Sequence, residues 1–110
     1  MTYYMNLAEE PFALIKSGQK DIEMRLCSKG RENIKPDDQI IFTNIKSEEK
    51  VIVKVISVSK YISFKELYKH YDKTRLGYRQ DEKENPDDML IYYKQDDIDK
   101  YGVLAIEIKL

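Results

Sequence analysis

The chain has 110 residues, 19 of them basic and 20 acidic, for a net charge of −1. That length suits one domain, residues 1–110, with a single hydrophobic core, and the 42% apolar and 11% aromatic content is richer than a disordered chain would carry. One cysteine, Cys27, and one histidine, His70, exclude an internal disulfide, a metal site built from several cysteines or histidines, and any serine-type triad that does not run through His70.

Residues 1–7 lack the basic n-region and apolar stretch of a signal peptide, and no apolar run is long enough to span a bilayer. A cytoplasmic protein with no membrane partner and no cofactor is therefore expected. Residues 3–7 read as a first strand. Pro11 follows, in the first turn of a helix, where its missing N–H leaves no gap. Phe12 and Ile15 give that helix an apolar face, and Gly18 suits its C-terminal end. Residues 20–27 alternate: Ile22, Met24 and Leu26 point one way, Asp21, Glu23 and Arg25 the other. A charged face backed by an apolar one either meets water or lines a cleft.

Residues 28–36 are polar and basic and suit a loop or short helix. Residues 39–45 and 51–60 read as two strands joined by the polar hairpin 46–49. The second is β-branched at Val51, Ile52, Val53, Val55, Ile56 and Val58, which predicts a central strand buried on both faces. Ser63 and Glu66 have the spacing of a capping box, and Phe64, Leu67, Tyr68 and Tyr71 recur at helical period. A long polar loop is expected over 72–84. A helix capped by Asn85, with Pro86 at its start and Met89, Tyr92 and Tyr93 as its stripe, follows. An acidic turn over 95–100 leads through Gly102 into a last strand, 103–110. The strands lack regular βαβ units, so the expected class is α+β: a small, mainly antiparallel β-barrel with about three flanking helices.

The charge is unevenly spread. Six basic residues between positions 16 and 35 (Lys16, Lys20, Arg25, Lys29, Arg31, Lys35) face three acids, a local excess of +3, whereas residues 81–99 carry eight acids against Lys83 and Lys94. Screening cuts interactions beyond about 8–10 Å, so a ligand feels the local field rather than the total.

The run from Pro11 to Leu26, with Ser17-Gly18 closing a helix and Lys20-Asp-Ile-Glu23-Met-Arg25 on the strand behind it, resembles the opening signature of ASCH domains (activating signal cointegrator homology). Lys35-Pro-Asp37-Asp38-Gln-Ile40-Ile-Phe42 is similar to a later strand of that family, with Asp37 where a glycine is usual. Ser63-Phe64-Lys-Glu66-Leu67 and Tyr101-Gly102-Val103 resemble its later helix start and closing strand. The resemblance implies a PUA-like β-barrel with a cleft between barrel and helices. It also implies RNA or a modified nucleoside as partner, or, as in some bacterial members, ribonuclease or amidohydrolase activity on N4-acylated cytidine.

Within that frame Glu23 and Arg25 share one strand face, about 6–7 Å apart. An arginine fork suits a phosphate or base edge, and a carboxylate accepts from an exocyclic amine such as cytosine N4. Lys16, Lys20, Glu23, Arg25 and Tyr93 are the expected ligand-binding residues. Under the hydrolase alternative Lys20 would be the acid/base. The threonine nucleophile that the resemblance implies is absent, because Glu23 stands in its place. A third reading is a protein-interaction domain using the acidic stretch 81–99. Tyr78, a tyrosine in a polar segment, is a candidate for stacking on a base. His70 and Cys27 are expected to be bystanders.

Overall fold

Alternating apolar positions become five strands of one sheet in the computed structural model, which describes residues 1–28 and 30–110. They are β1 (Thr2–Leu7), β2 (Ile22–Leu26), β3 (Gln39–Asn44), β4 (Lys50–Tyr61) and β5 (Val103–Lys109), in the spatial order β1-β3-β4-β5-β2. Lys29, one of the basic residues counted above, lies outside the described residues. Three pairings are antiparallel, but β1 runs parallel to β3, so the sheet is mixed. Parallel neighbours need a crossover of a dozen residues or more, and residues 8–38 supply one.

The sheet is a curled half-barrel rather than a closed barrel. On β4 the register shifts between Val55 and Ser57, leaving Ile56 without a partner on β5. Such a bulge bends a strand and increases its twist. The curl brings the two edge strands close: Arg25 Nη2 on β2 donates to the Asn6 carbonyl on β1 at 3.3 Å. A side chain bridges the gap where a ladder of backbone bonds would close a full barrel.

The concave side is filled by helix α1 (Glu9–Lys16), whose Phe12 and Ile15 pack among Leu7, Ile40, Phe42, Val53, Val55, Leu104 and Ile106. A second cluster lies outside the sheet. There Ile22, Met24 and Leu26 of β2 and Val103 and Ala105 of β5 meet Phe64, Leu67, Leu76, Met89 and Ile98. Those five come from α2 (Phe64–Tyr68), α3 (Lys73–Leu76), a 3-10 helix (Pro86–Ile91) and α4 (Gln95–Tyr101). Strands β2 and β5 are therefore covered on both faces. Strand β4 is the middle strand, as its composition predicts, but it is buried on one face only: Ile52 and Ile56 stay 54% and 42% exposed. The helices do not reach its first half.

The described residues contain four α-helices and a 3-10 helix where about three helices were expected. The polar 72–84 segment holds α3, capped by Asp72 Oδ1 on the Thr74 N–H at 3.1 Å and ended by Gly77 at φ +108°. The acidic 95–100 stretch is helix α4, with Asp96 and Asp97 in its first turn, where anions meet the positive end of the helix dipole. A single buried residue, Ile98, is too little apolar signal to show it. The capping box at Ser63 is half formed: Ser63 Oγ accepts from the Glu66 N–H at 3.1 Å, while the Glu66 carboxylate turns outward to Lys69 at 2.8 Å. Asn85 does cap, accepting from the Asp87 N–H at 3.0 Å, but the turn it opens is 3-10. Its geometry sends Met89 inward and leaves Tyr92 exposed.

Asp37, at the position where the similar family carries glycine, has φ +75°. Aspartate is one of the few side chains that tolerate this region, which costs other L-residues roughly 1–2 kcal/mol. Replacing Asp37 by glycine is expected to leave stability unchanged or slightly raised, and Asp37→Val to lower it by about 1–2 kcal/mol. Urea unfolding midpoints of the two variants check this.

Candidate functional site

The alternation of β2 decides where its charges go. Glu23 and Arg25 lie opposite Ile106 and Leu104 of β5, both members of the concave cluster. The charged face of β2 therefore turns inward instead of meeting bulk water. Glu23 is only 2% exposed.

An anion buried to that degree needs partners, and Glu23 has two. Lys20 Nζ lies 3.2 Å from Oε1. Arg25 reaches Oε2 with both Nη2, at 2.8 Å, and Nε, at 2.9 Å. Burial pushes the Glu23 carboxyl up, but the charges and hydrogen bonds of Lys20 and Arg25 outweigh it and hold the group below its ordinary value of 4.5. Glu23 is an anion between two cations, and the trio carries a net +1.

Lys20 precedes the strand and is placed by backbone. Its N–H donates to the Leu14 carbonyl at the end of α1 at 3.1 Å. Its stem then runs past Gly77, where an added Cβ would stand 3.2 Å from Lys20 Cδ. The glycine that ends α3 serves two needs, a positive φ and room for this lysine.

The trio lines a cavity of roughly 350 Å³ between β1, α1, β2 and the helical layer, within the usual range for small-molecule sites. Tyr68, Tyr78, Tyr92 and Tyr93 line it too. Tyr93 stacks on Phe64 with ring centroids 5.9 Å apart. Burial raises its hydroxyl pKa, opposed by the Arg25 charge. Tyr68 and Tyr78 share a hydroxyl contact of 3.0 Å, and Tyr78 also donates to Asp88 Oδ2 at 2.7 Å. The exposed acids Glu10, Glu82 and Asp88 complete the lining on the side of α1 and the helices.

Hydrogen-bond capacity shows what the trio offers a ligand. A carboxylate has about four acceptor positions, and Lys20 and Arg25 occupy three on Glu23. An ammonium has three donors and a guanidinium five, so donors are left over on both cations. The trio thus presents several donors beside one remaining acceptor.

Of the residues expected from sequence, Lys20, Glu23, Arg25 and Tyr93 line this cavity together. Lys16 does not: it pairs with Glu49 on an exposed surface at the β3–β4 hairpin. Helical geometry explains the separation: the α1 residues that line the cavity, Glu10, Pro11 and Leu14, share one face of the helix, and Lys16, two positions beyond Leu14, lies off that face. Tyr78 lines it as well. Asn6 carried no sequence signal, Tyr68 reads only as part of an apolar helical stripe and Asp88 only as part of the acidic stretch, until β1 and the helical layer meet around β2. His70 lies outside it, its ring centroid 5.0 Å from that of Tyr61. Among the described residues no three His, Cys, Asp or Glu side chains gather as a metal site.

Removing the central charge leaves two cations facing each other in a poorly hydrated place. Glu23→Gln is expected to cost about 3 kcal/mol or more of unfolding free energy, in the range for breaking a buried pair. The pH dependence has a definite sign. A carboxyl held below its unfolded value stabilises the fold above that value, and the contribution fades as pH falls through the folded one. Wild-type stability should therefore drop below pH 4.5, Glu23's ordinary value, and part of that drop should vanish in Glu23→Gln. Chemical denaturation between pH 3 and 7 reads both effects.

Comparison with known proteins places this geometry in a family. The family model of the ASCH domain matches residues 5–110. No curated protein matches the chain. Among solved structures, the crystal structure of hypothetical protein PH0355 is 35% identical with a TM-score of 0.79, covering 99% of this chain and 98% of that one. The solution structure of protein PF0455 from Pyrococcus furiosus is 34% identical with a TM-score of 0.70, covering 99% and 96%. An ASCH protein from Zymomonas mobilis shares the fold at 14% identity and a TM-score of 0.63, covering 99% of this chain and 67% of that one.

Proposed function

The chain belongs to the ASCH domain family, and from that premise we propose that its cleft binds one nucleobase, presented by RNA or by a modified nucleoside. The family is PUA-like and its members have been proposed to bind RNA. The observation that carries the reading is the Lys20–Glu23–Arg25 trio lining a tyrosine-walled cavity. Spare donors of Lys20 and Arg25 match ring nitrogen and carbonyl acceptors of a base. The one remaining acceptor of Glu23 matches an exocyclic amine, as on cytosine. Aromatic faces offer stacking, the usual way an unpaired base is held.

The hydrolytic alternative, deacylation of N4-acylated cytidine, has less support. It asks for a nucleophile, or for an activated water with a base, and among the described residues no serine, threonine or cysteine lines the cavity. Glu23, standing where the nucleophilic threonine of the similar enzymes would be, has both oxygens engaged by cations. Incubation with N4-acetylcytidine and chromatography for cytidine tests that alternative directly.

Titration calorimetry with cytidine, uridine, adenosine, guanosine and N4-acetylcytidine tests the binding reading. One or more of them is expected to bind, and Arg25→Ala to weaken that binding about tenfold or more, the scale of a lost charge-assisted hydrogen bond. Circular dichroism shows whether the variant keeps its fold. Failure of all five to bind folded wild-type protein would overturn the proposal.

A further inference from the structure

The helical layer covers β2 and β5 and leaves the outward face of β1, β3 and the first half of β4 open to solvent. Registers across the three strands set Tyr4 beside Ile41 and Ile41 beside Ile52 in one row. Tyr4 is 76% exposed. Flanking rows bring Thr43 beside Lys50, and Lys54 beside Lys109 of β5, with all three lysines exposed. The outward strand positions here (Thr2, Tyr4, Asn6, Gln39, Ile41, Thr43, Lys50, Ile52 and Lys54) include no acid. Asp37 does pair with Lys54 at 3.2 Å, but both are well exposed, and such a contact is weak. The cavity lining on the helical side shows the opposite character, with Glu10, Glu82 and Asp88.

The two regions join. Asn6 is two residues beyond Tyr4 on the same strand face, about 6–7 Å away, and Asn6 lines the cavity. A chain whose base occupies the cavity thus has one basic, aromatic way out and one acidic one. We propose that this sheet face is a binding track for single-stranded polynucleotide: Tyr4 stacks a base, Lys50, Lys54 and Lys109 meet phosphates, and the strand enters the cleft past Asn6. The inference rests on the base-binding reading of the cleft and deepens it, since it makes the ligand a strand rather than a free nucleoside. An exposed aromatic between lysines on an open sheet face is the chemistry that single-stranded nucleic acid needs, a stacking surface with charges spaced along the backbone.

The test compares two probes on the full chain: cytidine by calorimetry, and a fluorescein-labelled octacytidylate by anisotropy at several salt concentrations. The octamer is expected to bind at least tenfold tighter than cytidine. Tyr4→Ala should weaken the octamer about tenfold, the scale of one base–aromatic stack, and leave cytidine unaffected, while Tyr4→Phe retains binding. The Lys50→Gln, Lys54→Gln double variant should flatten the plot of log K against log salt by about 1.4, roughly 0.7 for each phosphate no longer neutralised. These residues are exposed, so the variants keep the fold. An octamer that binds no tighter than cytidine, or whose affinity and salt slope ignore these changes, overturns the track. If cytidine fails to bind while the octamer still depends on Tyr4 and the lysines, the cleft reading falls and the track stands.

Discussion

Glu23 sits almost out of reach of water, and it can do so as an anion only because two cations share it. Desolvating an isolated carboxylate costs several kcal/mol, and its partners offset that cost only with good geometry. The geometry here is demanding: Lys20 must reach one oxygen while Arg25 forks onto the other. Much of the surrounding architecture makes that arrangement possible. The end of α1 accepts the Lys20 N–H. Gly77 leaves space for the lysine stem. The cover on both faces of β2 keeps water from competing.

The same interaction organises the sheet. Arg25 binds Glu23 and also reaches the Asn6 carbonyl on the opposite edge strand. One guanidinium therefore stabilises a buried charge, bridges a half-barrel whose edges do not pair, and lines a cavity. An arginine head suits this use better than an ammonium, because its planar fork makes several fixed hydrogen bonds at once. A ligand that draws on the spare donors of Arg25 engages a group already held in place, so little ordering entropy is lost on binding.

The strands were legible because their apolar positions alternate, and the inward face of β2 was legible as a question: charges at Glu23 and Arg25 had either to meet water or to line a cleft. Periodicity could not choose between these, since the choice depends on β5 and the helices closing around the strand. It misjudged β4, whose outward isoleucines Ile52 and Ile56 look like core but stay about half exposed. The short helices α3 and α4 escaped notice because each buries a single residue, Leu76 or Ile98, and one apolar residue has no period. Lys16 looked like part of the basic site because it is near in sequence, while the turn of α1 directs it elsewhere. Asp37 was a visible departure from the family pattern, and its left-handed backbone shows why glycine is usual there and aspartate acceptable.

The order of strands in space also bears on how the molecule is made. In the described sheet β2 sits at an edge, paired with β5 alone, and β5 lies some 80 positions further along the chain. Until that distant segment docks, Lys20, Glu23 and Arg25 remain hydrated and the apolar side of β2 has no sheet partner. Pairings of such long sequence separation form slowly, because loop-closure entropy is spent before the pairing rewards it. The cavity therefore depends on the pairing of longest reach in the sheet: the last strand supplies both the only partner of β2 in the described sheet and Leu104, Ile106 and Ile108 of the core against which α1 packs.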